Sequence, residues 1–164
     1  MMTLGIDPGL SGAIAILERD RLVQVFDMPT VRIEVNGKAK RRISPEMLVS
    51  ELGMYHREGL RFACVEKVNA MPGQGVSSMF AFGEAFGIIK GVMAGLGVPC
   101  FLAPPAQWKR GVGLKLGKDA SRALAAQIWP AQAGEFSRVK DDGRAEAALI
   151  GLWGYRTSAA SLTD

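Results

Sequence analysis

The chain has little of the residues that build soft metal centres or covalent crosslinks. It holds two cysteines and one histidine among 164 residues, which is too few for a cysteine-based zinc site. Cys64 and Cys100 lie in separate apolar segments, and we expect buried free thiols rather than a disulfide. His56 stands among polar residues of a predicted helix, so we expect it at the surface. Metal chemistry in this chain would therefore rest on carboxylate oxygens.

Long uninterrupted apolar runs are also missing. The longest charge-free apolar run, Gly91 to Pro105, is broken by glycine and proline and falls short of the ~18 residues of a membrane-spanning helix. No basic segment followed by an apolar one opens the chain, so we predict no secretory signal, no membrane association and a cytoplasmic location. We expect a single domain over residues 1–157 and a flexible tail over residues 158–164.

The hydrophobic pattern predicts three strands, then a helix, a strand, a helix, a strand and further helices. Strands are expected near residues 3–7, 12–18, 22–28, 62–66 and 98–102, and helices near residues 44–58, 77–95, 104–110, 118–129 and 142–156. Ser44 is the predicted cap of the first helix, with Pro45 at its first position. Before it, Asn36 and Gly37 predict a turn in an exposed basic loop or hairpin. This order indicates an α/β fold of ribonuclease H-like topology, with a five-stranded mixed sheet flanked by helices.

Three acidic signatures lie far apart in the sequence. Asp7 and Glu66 each end an apolar strand-like run, while Asp142 and Glu146 share one face at the start of the last helix. Taken singly, they are also explained by a turn aspartate or by charge matched to the helix dipole. Taken together, four such side chains predict a site for two Mg²⁺ ions, with Mn²⁺ as a substitute, that hydrolyses phosphodiesters. Asp141 is adjacent and could replace Asp142 as a ligand.

Basic residues cluster outside these acidic segments. One cluster comprises Arg32, Lys38, Lys40, Arg41 and Arg42, and a second comprises Lys109, Arg110, Lys115, Lys118 and Arg122. Such clusters are often plain solvated surface. Beside a carboxylate site in a chain of net charge +4, they favour binding of a nucleic-acid backbone. The expected phosphate-binding residues are Lys38, Lys40, Arg41, Arg42, Lys109, Lys115, Lys118 and Arg122.

The helix predicted from Ser77 to Gly95 carries two apolar stripes. The first is a core stripe of Phe82, Phe86, Ile89, Met93 and Leu96, and the second consists of Gly83, Gly87, Gly91 and Gly95. Each glycine costs a helix about 0.5–1 kcal/mol relative to alanine, so we expect a close backbone approach in return. A second subunit would supply it in a homodimer formed through this helix; a neighbouring helix of the same chain is the alternative.

The chain resembles the RuvC-type Holliday junction resolvases, and most of all their phage-encoded branch. The resemblance is carried by the segments 4–9 (LGIDPG), 65–68 (VEKV), 70–78 (AMPGQGVSS), the Phe-Gly pairs at 82–83 and 86–87, and 143–147 (GRAEA). It implies a homodimer that nicks four-way DNA junctions symmetrically with Mg²⁺ or Mn²⁺, in the bacterial host cytoplasm if the gene is a phage's. Family ligands carry over to Asp7, Glu66 and Glu146.

Three further assignments follow from the resemblance. The family often places two acidic residues three apart in the last helix, but Gly143 stands at that position, and Asp142 is our choice for the fourth ligand. Lys118 matches a catalytic lysine that would lie near the scissile phosphate. The family inserts an aromatic wedge into the junction soon after the second acid. Asn69 and Ala70 lie there, and Met71 is the apolar candidate for this role.

Other functions fit parts of the pattern. A broader nuclease of flaps, forks or RNA–DNA hybrids would use the same fold and metal site. A protein that binds branched DNA without cutting would not need the carboxylates at all three places. An actin-like or sugar-kinase ATPase shares the Asp7 to Gly12 turn, but it needs two such domains, and this chain is too short.

Overall fold

A five-stranded sheet forms the centre of the computed structural model, which describes residues 1–69, 73 and 75–160. Its strands are β1 (Met2–Asp7), β2 (Ala13–Glu18), β3 (Arg21–Asp27), β6 (Leu60–Glu66) and β7 (Cys100–Ala103), in the spatial order β3-β2-β1-β6-β7. β1 runs antiparallel to β2 and parallel to β6, and β6 runs parallel to β7. The predicted mixed α/β sheet is confirmed. Because β1 and β6 are parallel neighbours, their carboxyl ends meet at one edge of the sheet.

The basic segment between β3 and the first helix forms a separate two-stranded hairpin. Its strands are β4 (Thr30–Val35) and β5 (Lys38–Ile43). Asn36 and Gly37 both adopt positive φ angles, 52° and 71°, which is the geometry of a tight hairpin turn. Of the two predicted forms, an exposed loop or a hairpin, the structure has the hairpin.

The main helices are α1 (Pro45–Arg57), α2 (Val76–Gly95), α3 (Pro105–Gly111), α4 (Ala120–Ile128) and α5 (Asp142–Ala160), with short 3₁₀ segments at Pro130–Phe136 and Val139–Asp141. The Ser44 cap is confirmed, since its Oγ accepts a hydrogen bond from the Met47 amide at 3.2 Å. The predicted serine cap of α2 is wrong: the helix begins after Gly75, without a side-chain cap.

Two other helix boundaries differ from the prediction. α4 begins at Ala120 rather than Lys118, because Asp119 adopts a left-handed φ of 64° that is incompatible with a helix. Lys118 therefore lies in the turn before α4. α5 continues to Ala160, past the predicted end near Arg156; residues 161–164 lie outside the described part of the chain.

Helices cover both faces of the sheet. α1 and α2 pack on the face that carries Leu4 and Ile6, while α5, with α3 and α4, packs on the other. Gly5 and Gly151 let β1 and α5 approach with their backbones almost in contact. A Cβ at Gly5 would overlap the carbonyl oxygen of Ala147, and a Cβ at Gly151 would overlap the side chain of Leu17.

α2 is long and apolar enough to cross a membrane by length and composition, and it is the one such helix in the described part of the chain. A single match of this kind is weak, since core helices pass the same test. Ala85, Ile89, Val92 and Met93 of α2 are buried against the sheet, so this helix belongs to the folded domain.

Candidate active site

Asp7 stands at the carboxyl end of the central strand, beside the end of β6. Ile6 pairs with Val65 across β1 and β6, so Asp7 and Glu66 are the next residues on the two strands. The amide of Gly9 donates to Asp7 Oδ1 at 3.3 Å. The pKa of Asp7 rises from 3.8 to about 7, mainly because the group is buried. The hydrogen bond from Gly9 lowers this pKa, and the charges of Glu146 and Glu66 contribute to the rise. Three of the predicted ligands therefore share one electrostatic environment.

Glu146 reaches the same region from the second turn of α5. Burial raises its pKa, Lys109 opposes that shift, and the charges of Glu66 and Asp142 add to it. The Ser121 hydroxyl donates to Glu146 Oε1 at 3.3 Å, and Lys109 Nζ lies 3.9 Å from the same oxygen. The positive charge of Lys109 therefore partly compensates the negative charge of the Glu146 carboxylate in the site.

Glu66 is held by a residue that sequence reasoning missed. The indole Nε1 of Trp108 donates to Glu66 Oε1 at 3.0 Å. The sequence alone favours a core or interface anchor at this position. Trp108 is indeed fully buried, and it is also a hydrogen-bond donor to the site. In the sequence, the one sign that Trp108 contributes to the site is its position beside Lys109, on a short helix that follows a strand.

The structure separates the two candidates for the fourth ligand. Asp141 is buried, its carboxylate accepts hydrogen bonds from the backbone and guanidinium of Arg138, both at 2.8 Å, and Arg138 lowers its pKa. It therefore caps its own helical turn. Asp142 lines a cavity with Asp7 and Glu146 and pairs with Arg122 Nε at 2.8 Å. The geometry favours Asp142.

Gly143 brings the start of α5 onto the turn between β1 and β2. A Cβ at this position would lie 2.7 Å from the Ser11 carbonyl oxygen and 3.1 Å from Asp7 Oδ2. Arg144, the next residue, pairs with Asp27 at 2.6 Å and with Glu135 at 2.5 Å. The first turn of α5 is therefore fixed against both the Asp7 turn and the end of β3.

An open cavity of about 520 Å³ lies over these carboxylates. Its charged and hydroxyl-bearing lining residues are Asp7, Ser11, Lys118, Asp119, Ser121, Asp142 and Glu146. Lys118 is exposed at its edge. Glu66 does not line the cavity, because its carboxylate is turned to Trp108.

The donor set suits a hard divalent cation. No three acidic, histidine or cysteine side chains in the described part of the chain stand close enough together to ligate an ion as they are. However, the charges of Glu66 and Glu146 raise the pKa of Asp7, and the charges of Glu66 and Asp142 raise the pKa of Glu146. A bound cation would relieve this repulsion between partly buried carboxylates. All the available donors are carboxylate oxygens, which are the ligands that Mg²⁺ and Mn²⁺ prefer.

The predicted phosphate-binding residues fall into two groups. Those of the first group have partners inside the protein: Arg41 donates to the Leu10 carbonyl, Arg42 pairs with Glu84 of α2, Arg122 pairs with Asp119 and Asp142, and Lys109 pairs with Glu146. Lys38, Lys40, Lys115 and Lys118 form the second group and are exposed. Met71, the predicted wedge, lies outside the described residues.

Comparison with known proteins gives one match in sequence and a match in fold. No family model matches the chain. One sequence match is to the chloroplastic Holliday junction resolvase MOC1 of Chlamydomonas reinhardtii, with 34% identity over 94 residues. These residues make up 56% of this chain and 11% of the length of MOC1. The matched part of the chain therefore spans about a tenth of the length of that protein.

The structural matches extend over nearly the whole domain. RuvC of Thermus thermophilus in complex with a Holliday junction substrate superposes with a TM-score of 0.62 at 18% identity, covering 98% of this chain and 97% of that one. A second T. thermophilus RuvC structure gives a TM-score of 0.55 at 19% identity, with the same coverage. The chain has the ribonuclease H-like fold of the RuvC Holliday junction resolvases.

Proposed function

We propose that this protein is a metal-dependent endodeoxyribonuclease that resolves four-way DNA junctions by paired symmetric nicks. The observation that carries the proposal is the electrostatic coupling of Asp7, Glu66 and Glu146, which come from β1, β6 and α5. The RuvC-like fold and the sequence similarity to a Holliday junction resolvase support the same substrate.

In this proposal, Asp7, Glu66, Asp142 and Glu146 hold two Mg²⁺ ions, for which Mn²⁺ can substitute. When bound, such ions lower the pKa of a water molecule and stabilise the departing 3′ oxygen. Asp7 interacts electrostatically with both Glu66 and Glu146 and is the candidate for a shared ligand. Asp142 Oδ1 accepts a hydrogen bond from Arg122 Nε in the structure, so Asp142 would bind a cation through Oδ2.

Two lysines would act on the phosphate. Lys118 lies at the edge of the cavity with its side chain exposed, so its ammonium can approach a scissile phosphate and offset the charge that develops there. Lys109 already lies 3.9 Å from Glu146. Its charge lowers the pKa of that carboxylate against the effect of burial, and it would limit repulsion between the site and the DNA.

The exposed lysines of the hairpin and of the loop before α4 would bind the DNA backbone without reading sequence. Lys38, Lys40 and Lys115 are available for this role, whereas Arg41, Arg42 and Arg122 would have to exchange their protein partners. Insertion of Met71 into the junction stays a prediction, as do a phage origin and a cytoplasmic location.

A homodimer formed through α2 would provide two sites for the paired nicks. Gly83, Gly87, Gly91 and Gly95 are exposed, and a Cβ added at any of them meets no described atom within 4 Å. A neighbouring helix of the same chain therefore does not cover the glycine stripe in the described part. The twofold geometry of such a dimer would select a junction over a duplex.

The test is cleavage of a labelled immobile four-way junction in Mg²⁺, beside duplex, flap, fork and RNA–DNA hybrid substrates. We expect paired symmetric nicks on the junction, lost in Asp7→Asn and retained in Asp20→Asn. Asp20 is an exposed aspartate in the turn between β2 and β3, at the other end of the sheet, and controls for the change of charge.

Three outcomes would overturn the proposal in different ways. Equal cleavage of flaps and forks would indicate a general branched-DNA nuclease with the same metal site. Tight junction binding without metal-dependent cleavage would indicate a binding protein. Cleavage that survives in Asp7→Asn would exclude the carboxylate site itself.

A further inference from the structure

We propose that Trp108 is a positioning residue that fixes the orientation of the Glu66 carboxylate, and with it the affinity of the site for a divalent cation. This inference rests on the proposed function. It starts from one contact, the hydrogen bond of 3.0 Å from the indole Nε1 of Trp108 to Glu66 Oε1. A buried indole N–H needs an acceptor, and here the acceptor is a predicted metal ligand.

The donor is rigid. Trp108 is fully buried, and its ring packs in the core between the sheet and α5. α3 begins with Pro105 directly after the β7 strand and its Pro104 linker, and Gly111 at its end lies against the ring of Trp153 on α5. The indole therefore cannot follow the carboxylate if the carboxylate moves.

The acceptor is placed by the same strands. The Lys67 amide, one residue after Glu66, donates to the Ala103 carbonyl at 2.8 Å, so the ends of β6 and β7 are in fixed register. The donor and the acceptor of the Trp108–Glu66 hydrogen bond therefore both lie at the ends of neighbouring strands. A glutamate has three rotatable side-chain bonds, and ordering them costs free energy. Here that ordering takes place during folding, before any ion binds.

The indole N–H of Trp108 can hold the Glu66 carboxylate without blocking its binding to a metal ion. Indole N–H only donates, so it occupies one lone pair of Oε1 and leaves Oε2 for a cation. The next residue, Lys109, lies against Glu146 on α5. Two consecutive residues of α3 therefore contact carboxylates from two different elements and help to set the separation between them.

The first test uses indole resonances and needs no DNA. The chain has three tryptophans, so ¹⁵N-labelled metal-free protein gives three indole N–H signals, and Trp108→Phe identifies the relevant one. We expect Glu66→Ala to shift that signal in the metal-free protein. Mg²⁺ should also shift it, while the Trp129 signal stays in place, since that indole donates to the Asp20 carbonyl at 2.9 Å. An indole signal that ignores both changes overturns the proposal.

The second test is Mn²⁺ binding by calorimetry. Trp108→Phe keeps an aromatic ring in the core and removes the N–H. Losing such a partner of a ligand typically weakens metal affinity by about 10–100-fold, and we expect a loss in that range. Trp153→Phe is the matched control, because it removes an indole from the same α3–α5 contact, and its affinity should equal that of the unaltered protein.

The outcomes separate this inference from the proposed function. If Trp108→Phe binds Mn²⁺ as tightly as Trp153→Phe while junction cleavage is normal, the positioning role is wrong and the nuclease stands. If the unaltered protein binds no Mn²⁺, both are wrong. Should Trp108→Phe fail to fold, Trp129→Phe and Trp153→Phe assign the other two indole signals, and the response of the remaining signal to Glu66→Ala still decides the matter.

Discussion

Asp7 has the most strongly perturbed carboxyl pKa of the proposed ligands, and the direction of the shift matters for stability. Its pKa rises from 3.8 to about 7 mainly because it is buried. Below pH 3.8 the group is neutral whether the chain is folded or unfolded. Between these two values the unfolded chain releases the proton and the folded protein keeps it, so the free energy of unfolding falls as pH rises. In the metal-free protein, the Asp7 carboxylate therefore opposes folding at pH 8.

Replacing this carboxyl with an amide should stabilise the metal-free protein. Asp7→Asn should raise the free energy of unfolding at pH 8 by on the order of 4 kcal/mol, and by less at pH 5. Denaturant unfolding in EDTA at both pH values measures this difference. Mg²⁺ should stabilise the unaltered protein and not the variant. Asp20→Asn is the control, and an equal gain there would contradict the assignment.

Gly143 provides a second prediction for a single residue. Gly143→Ala should destabilise the protein and weaken Mn²⁺ binding, although alanine favours a helix by about 1 kcal/mol over glycine. The added Cβ would lie 2.7 Å from the Ser11 carbonyl oxygen and force α5 away from Asp7. Thermal unfolding and calorimetry measure both effects.

The matched control is Gly53→Ala in α1, where the nearest atom to the added Cβ is the end of the Arg57 side chain at 3.9 Å. That change should stabilise the protein. Equal behaviour of the two variants would show that the close approach of α5 to the turn does not matter.

The difference between predicted and unpredicted residues follows from the range of the interactions. Ser44 and the Asn36–Gly37 turn are local signals, and both are confirmed. Asp7 and Glu66 could be placed because parallel strands bring their ends together. The bond from Trp108 to Glu66 could not be predicted, since it depends on how a seven-residue helix packs across the sheet edge. Asp141 is not available as a ligand because Arg138 binds its carboxylate. This contact is local, but the sequence pattern does not mark Arg138 as a partner of Asp141.

Among the helices, α2 has the least internal support on its outer side. Its inner face is buried, but the glycine stripe faces open space, and Val76 and Phe80 are 80% and 75% exposed. Four exposed glycines weaken an isolated helix. A close approach by a second copy would recover that free energy through packing, as small residues allow backbones to come near each other.

If the proposed homodimer forms through this stripe, a bulky charged residue there should dissociate it. Gly87→Arg is expected to halve the mass found by light scattering and to abolish paired nicking, while the fold stays intact by circular dichroism. Ala81→Arg adds the same side chain to a different exposed side of α2 and should leave the mass unchanged. A dimer that survives Gly87→Arg must use another surface.

For the molecule as a whole, the arrangement of charge is more informative than its sum. The net charge is only +4, yet exposed lysines stand on the β4–β5 hairpin and on the loop before α4, with the carboxylate cavity beside that loop. Arg41 attaches the hairpin to the turn that follows Asp7, and Arg42 attaches it to α2. The hairpin is therefore coupled to the proposed site and to the proposed dimer helix.

Lysines that bind phosphates should show it in the salt dependence of binding. The double variant Lys38→Ala, Lys40→Ala is expected to weaken binding of every DNA substrate. It should also reduce the slope of log affinity against log salt by about one for each phosphate that the variant no longer neutralises. Fluorescence anisotropy over a series of salt concentrations measures this slope. All variants carry Asp7→Asn in addition, because this change is expected to prevent cleavage of the DNA during the measurement.

Arg57→Ala, Arg61→Ala removes the same charge at the far end of β6, where both side chains are exposed. This control should change the slope little. An equal effect from both pairs would mean that net charge, not the hairpin, determines DNA binding.

The glycines at positions 5 and 151 have a consequence for recognising related genes. They carry no functional group, yet β1 and α5 can approach so closely only because both side chains are absent. A homologue that keeps every acidic residue but has a valine at position 5 would hold Asp7 and Glu146 too far apart to act together. Searches that score only the carboxylates would count such genes as active enzymes, and a filter that also requires these two small residues would remove them.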